Sequence, residues 1–150
     1  MLLRMLPDQV ADQWNILKPA IEASLPSNTA KSDLGMNNIL KALIGNKMHC
    51  WILTDTEESE PYALATTSFV VDPIGAVSLF IYSLYGYKPI PMELWIDGFK
   101  GLQKWAMKNG CSNVLAFTDS KRVMDIVKDL GGNTQQVVVS LEVNSNGENI

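Results

Sequence analysis

Residues 76–110 read AVSLFIYSLYGYKPIPMELWIDGFKGLQKWAMKNG, and this stretch decides the fold. Its first nine residues, AVSLFIYSL, carry no charge, as a strand does when a sheet covers it on both sides. From Met92 the period changes. Met92, Trp95, Ile96, Phe99, Leu102 and Ala106 recur at helical spacing, which predicts a helix over 92–108 with those residues as its buried stripe. Asn109-Gly110 is a stop signal. A long central strand, the loop YGYKPIP and a long amphipathic helix together predict an α/β domain.

Working outward, residues 113–118 (NVLAFT) are a short apolar strand of the kind found in parallel pairing. Upstream lie two further strand readings, 48–54 (MHCWILT) and 62–71 (YALATTSFVV), separated by the acidic turn DTEESEP. Asp72-Pro73-Ile74-Gly75 is turn chemistry, so these strands and 76–84 form an antiparallel meander. Residues 2–6 predict a first strand closed by Pro7. Asp8 is placed to cap a helix with Val10, Trp14, Leu17, Ile21 and Leu25 on its apolar face, kinked or restarted at Pro19. After the loop PSNTAKSD, a second helix carries Met36, Ile39, Leu40, Leu43 and Ile44 and stops at Gly45. Downstream, 120–130 is a helix with Val123, Ile126, Val127 and Leu130 inward, and 135–143 (QQVVVSLEV) reads as a last strand. The expected organisation is one domain over 1–143 with a disordered tail over 144–150.

Composition narrows the function. At 150 residues, 47% hydrophobic and 19% charged, the chain suits one globular domain with a core of its own. A formal charge of −4 lacks the basic field that nucleic-acid binding needs. No apolar run approaches the ~20 residues that span a bilayer, and no leader is recognisable, so a cytoplasmic protein is expected. Cys50, Cys111 and His49 lack metal-ligand spacing and border apolar segments, so they read as packing residues.

The order β-α-α-β-β-β-α-β-α-β, with a mixed central sheet, resembles the GNAT acetyltransferase superfamily along nearly the whole chain. The segments that carry the resemblance are AVSLFIYSL, YGYKPIP, MELWIDGFKGLQKWAMKNGC, NVLAFT and SKRVMDIVKDLGG. The resemblance implies acetyl transfer from acetyl-CoA to a small-molecule or protein amine. It implies that the central strand diverges from its neighbour near Leu84, so that the cofactor's arm lies beside Leu84 and Gly86. Its pyrophosphate would then lie over Gly86, Tyr87, Lys88 and Met92, with Ser120 at the start of the last helix also in contact.

The chain departs from the family pattern at several positions. Of the glycine-rich loop only Gly86 remains, and Pro89 and Pro91 have no N–H to give. The central strand has no acidic residue, and Glu57, Glu58 and Glu60 sit in a turn. Val127 stands where members carry a tyrosine. Lys88 reads equally as a phosphate ligand or a solvated turn lysine, and Ser120 as a contact or a helix cap. Tyr82 and Tyr85 are the catalytic candidates, Tyr82 facing a substrate cleft and Tyr85 a leaving thiolate. Both also read as residues packing at a sheet end.

The alternative is a catalytically silent binding or structural protein on the same fold, for which a bacteriophage setting, in the host cytoplasm or a virion, is conceivable. Val137, Val138, Val139, Leu141 and Val143 put apolar groups on both faces of the last strand. Association with a second copy or a larger assembly through that strand is expected.

Overall fold

The computed structural model describes residues 1–25, 32–56, 59–141 and 143. It contains two compact units, residues 1–116 and 117–150. In the first, five strands lie in the order β1-β2-β3-β4-β5: β1 (Leu2–Met5), β2 (Met48–Leu53), β3 (Ala63–Val71), β4 (Val77–Gly86) and β5 (Asn113–Ala116). Neighbours are antiparallel except β4 and β5, which are parallel. Four helices belong to this unit: α1 (Pro7–Asp12), α2 (Trp14–Ala23), α3 (Asp33–Ile44) and α4 (Met92–Lys108).

The sheet separates two apolar layers because its side chains alternate between faces. On one face Cys50 and Leu64 pack with Val10, Leu17, Ile21, Met36 and Leu43 of the first three helices. On the other, Trp51, Ala65, Leu79 and Ile81 pack with Leu102 and Ala106 of α4. Helix α4 begins and ends where its periodicity predicts, but only Trp95, Phe99, Leu102 and Ala106 of its expected stripe join the core, with Leu94 and Trp105 beside them; Met92 is 45% exposed in the first turn and Ile96 lies outside the apolar clusters. Trp95 and Phe99 are half-buried and stack on each other. Gly101 allows a close approach: a Cβ there would sit 3.0 Å from Leu2 Cδ2.

The first helical segment differs from expectation in detail. Asp8 does not cap it. Leu6 occupies the cap position, Pro7 starts the helix, and Gln9 Oε1 accepts from the Leu6 amide at 2.8 Å. The break falls at Gln13 rather than at Pro19, which lies inside α2. Ser32 caps α3 through the Gly35 amide, and Ile44 is exposed at the end of that helix.

The β3–β4 hairpin is closed by Asp72, whose Oδ1 accepts from the amides of Ile74 and Ala76. Gly75 takes the positive φ of 87° that the turn requires.

The second unit holds α5 (Lys121–Asp129), with Val123 and Ile126 buried. Ser120 caps it, and Gly131 and Gly132 follow it, donating to Lys128 and Val127 carbonyls. The strand expected over 135–143 is absent among the described residues, which form neither helix nor strand there. Val139 is 84% exposed, and its apolar neighbours are also open. A β-rich composition forms a strand only when a second strand satisfies its amides. Glu142 and the Asn146-Gly147 turn signal lie outside the described residues, as do Glu57 and Glu58.

Candidate functional site

The site is built around an irregularity in β4. Opposite β3 the register runs Thr67↔Ile81 and then Thr66↔Ser83, so Tyr82 is an extra residue, a β-bulge. The bulge reverses the alternation. Leu79 and Ile81 face α4, whereas beyond Tyr82 it is Leu84 that packs on that side. Tyr82 and Tyr85 both pack against the layer of the first three helices. Ser83 meets the Thr66 hydroxyl across the strands, so both buried hydroxyls are satisfied.

The ladder with β5 runs from Ser78↔Asn113 to Ile81↔Ala116 and ends there, at the residue before the bulge. The sequence places this divergence near Leu84, three residues later. Strand β4 itself continues to Gly86, so Tyr85 and Gly86, expected in a loop, belong to the strand. The Tyr87 amide donates to the Tyr62 carbonyl on the β3 side. By strand alternation the amides of Gly86 and Leu84 point the opposite way, to the edge with no β5 partner. Gly86 leaves room at that edge. A Cβ there would meet only Ile90 Cδ1 at 3.8 Å and the Lys88 carbonyl at 4.0 Å, ordinary contacts.

Six residues on, α4 starts at Met92 with Pro91 as its cap and no capping side chain. Leu94 and Trp95 donate to the Pro91 carbonyl at 3.0 and 3.1 Å, which leaves the Met92 and Glu93 amides unspent. The positive end of the helix dipole favours an anion there, and the Glu93 carboxylate opposes one. Trp95 Nε1 is buried without a partner among the described residues, one more unspent donor in the layer where Leu84 packs.

Lys88 is exposed, and its Nζ lies 4.1 Å from the centre of the Tyr62 ring. Tyr62 donates its hydroxyl to Asp55 at 2.7 Å, and that bond raises the phenol above its ordinary range. Tyr87 meets Tyr85 edge to face at 5.0 Å. Partial burial, with Cys50 and Tyr85 nearby, raises the Tyr87 phenol and keeps it a proton donor at neutral pH. Ser120 lies in the second unit, where its hydroxyl serves the Val123 amide as the cap of α5.

Below the face of α4 lies a second polar arrangement. Trp51 Nε1 donates to Thr67 Oγ1 at 2.9 Å, and His49 Nδ1 shares a hydrogen bond with the same oxygen at 3.0 Å. His49 is 3% exposed and packs edge-on against Trp105 and Phe69. Burial first, then the Arg4 guanidinium, lowers its pKa to about 4. It is a neutral core residue, as its apolar setting in the sequence suggests. Burial also pushes the Cys50 thiol up to about 12, so it is inert as a nucleophile.

The bulge is the feature that sequence reasoning missed. The sequence carries no trace of it, since Leu79, Phe80, Ile81 and Tyr82 are all large and show no alternation to interrupt. No group of three or more metal-ligating side chains occurs among the described residues. Nor is any described helix long and apolar enough to cross a membrane.

No protein-family model and no curated protein matches the sequence. Solved structures do. A probable acetyltransferase superposes with a TM-score of 0.72 at 9% identity, covering 97% of this chain and 99% of that one. AAC(6')-Iy, in complex with the bisubstrate analog CoA-S-monomethyl-acetylneamine, gives 0.67 at 11%, covering 96% and 97%. An aminoglycoside acetyltransferase from an uncultured soil metagenomic sample, in complex with sisomicin, gives 0.62 at 13%, covering 96% and 95%. At such identities the likeness establishes the fold, which is the GNAT acetyltransferase fold with its mixed five-stranded sheet.

Proposed function

We propose that this chain uses its GNAT fold as an N-acetyltransferase, moving an acetyl group from acetyl-CoA to an amine. The observation that carries the reading is the end of the β4–β5 ladder at Tyr82, which leaves an open strand edge just ahead of a helix amino terminus. Acetyl-CoA supplies an activated thioester, an amide-bearing arm of the kind a free strand edge pairs with, and a pyrophosphate. The residues present fit those needs: the Leu84 and Gly86 amides for the arm, the room beside Gly86, and the Met92 and Glu93 amides for the anion. Lys88 adds positive charge by leaving the Tyr62 ring, and Tyr87 flanks the path.

Tyr82 orients the incoming amine, and Tyr85 holds a proton at its hydroxyl for the departing thiolate. Positioning and backbone polarisation then do most of the catalysis, which needs no carboxylate base. One structural neighbour is bound to a CoA-containing analog and another to an aminoglycoside, which supports a small-molecule amine as acceptor.

A silent binding protein is the second reading. It is favoured by the absence of Asp, Glu and His from β4 and by the engagement of Lys88 with Tyr62. Calorimetry with acetyl-CoA, followed by a thiol-release assay over a panel of amines, separates the two. Binding with thiol release supports the enzyme, and binding without release with any amine supports the silent protein. No heat at millimolar acetyl-CoA removes the cofactor altogether.

A further inference from the structure

On the sheet face opposite α4, a pocket of about 480 Å³ opens beside the bulge. Its walls include Met36 and Ile39 from α3, Met48 from β2, Val70 from β3, and Phe80 and Tyr82 from β4. The polar groups that reach it, from Ser32, Asn38 and Ser68, are all neutral. Among the described residues no Asp, Glu, Lys or Arg lines it.

We propose that this pocket binds the acceptor, and that the acceptor is a single amine on an apolar body, an arylalkyl- or alkylamine. The inference rests on the acetyl-transfer reading for the word acceptor, and on the pocket's own chemistry for the ligand class. Its volume falls in the range of small-molecule sites, which combine apolar walls with a few polar groups. Tyr82 forms part of the wall and is also the residue at which β4 gives up its β5 partner. A ligand seated here therefore ends beside the open strand edge, where the thioester is proposed to lie.

Charge decides between amines. A polycationic aminosugar brings several ammonium groups, each strongly hydrated, and needs carboxylates to replace that water. The described lining of this pocket supplies none. A monoamine needs only one hydrated head, kept at the mouth near the Tyr82 hydroxyl, while methionine, isoleucine and aromatic side chains receive the rest. Met36 and Met48 add compliance to those walls, since an unbranched thioether adapts to irregular apolar shapes.

The test uses the full chain with carbon-13 methionine methyls and no acetyl-CoA, so it reads the pocket independently of acetyl transfer. Of the seven methionines, only Met36 and Met48 line the pocket. Titration with 2-phenylethylamine is expected to move those two methyl signals saturably, and kanamycin is expected to leave them in place. Ile39→Trp fills the pocket and should weaken 2-phenylethylamine binding by about tenfold or more. Should that variant lose its folded spectrum, Asn38→Trp, at an exposed position on the rim, replaces it and should weaken binding in the same direction.

Shifts induced by kanamycin, no shift with either amine, or unaltered binding in the filled variants would overturn the assignment. Amine binding by a chain that ignores acetyl-CoA would sink the transferase reading and leave the pocket's ligand class standing. Turnover of kanamycin but not 2-phenylethylamine would do the reverse.

Discussion

From Val77 to Ile81, β4 is bonded on both edges, to β3 and to β5; from Tyr82 to Gly86 it is bonded on one. The closed half holds Leu79, which is 0% exposed, and aligns Ile81 with the Thr67 hydroxyl that joins Trp51 to His49. The open half holds four half-buried or exposed residues, Tyr82, Leu84, Tyr85 and Gly86, and amides directed at no strand. The same strand is thus paired on both sides in its first five residues and offers a free edge in the rest. A fold can concentrate its stability on one side of a single residue and its reactivity on the other.

The largest expected difference between the halves is energetic. Leu79→Ala should cost ~3–5 kcal/mol in urea unfolding, while Leu84→Ala should cost ~1–2 kcal/mol, because only the first leaves a sealed cavity. Equal costs would abolish the distinction.

The next effect is a pH dependence rooted beside the closed half. His49 titrates near pH 4 in the folded chain and recovers 6.5 on unfolding. Between those values the unfolded chain takes up a proton that the folded chain refuses. The histidine's contribution is therefore neutral above pH 6.5 and turns against folding as the pH falls, by about 3 kcal/mol at pH 4. In His49→Gln that part of the slope should vanish. Denaturant midpoints measured in steps from pH 7 to 4 check it, and an unchanged slope would mean that His49 is not the group responsible.

In the open half, Gly86→Ala should leave stability within about 0.5 kcal/mol, since the new methyl meets only ordinary contacts. Acetyl-CoA affinity should nonetheless fall by about tenfold, or 1.4 kcal/mol, because the methyl occupies the edge the ligand needs. Full affinity in this variant would move the cofactor away from β4. Lys88→Ala is the smallest effect, about two- to threefold in affinity at low salt and vanishing at high salt, as befits an exposed charge. Calorimetry at two ionic strengths reads it. An affinity unaffected at low salt would leave Lys88 to its Tyr62 ring alone.

How far the sequence discloses this molecule varies along the chain. The ends of helix α4 are legible, since its apolar stripe has a clear period and Asn109-Gly110 ends it, while its buried face is turned enough to leave Met92 and Ile96 outside the core and bring Leu94 and Trp105 in. The meander is legible because Asp72-Pro73-Ile74-Gly75 can do little but turn. The segment 135–143 misleads. Five apolar residues resemble a strand, yet strand formation depends on a partner that composition does not reveal.

For the site, Tyr82, Tyr85 and Gly86 stand out from the sequence by chemistry and location. What stays hidden is the bulge, because large apolar groups suit both faces of a covered sheet and parity leaves no mark. The pocket is hidden for a related reason, being assembled from Met36, Ile39, Met48, Val70 and Phe80 on four separate elements.

The extra residue at Tyr82 also governs how this segment can change by descent. A substitution there exchanges one side chain and leaves the count intact. An insertion or deletion between Ile81 and Gly86 would exchange the faces of Leu84 and Tyr85 together, turning one inside the wrong layer and the other out of its own. Length is therefore a constraint on this stretch in its own right, apart from which side chains it carries.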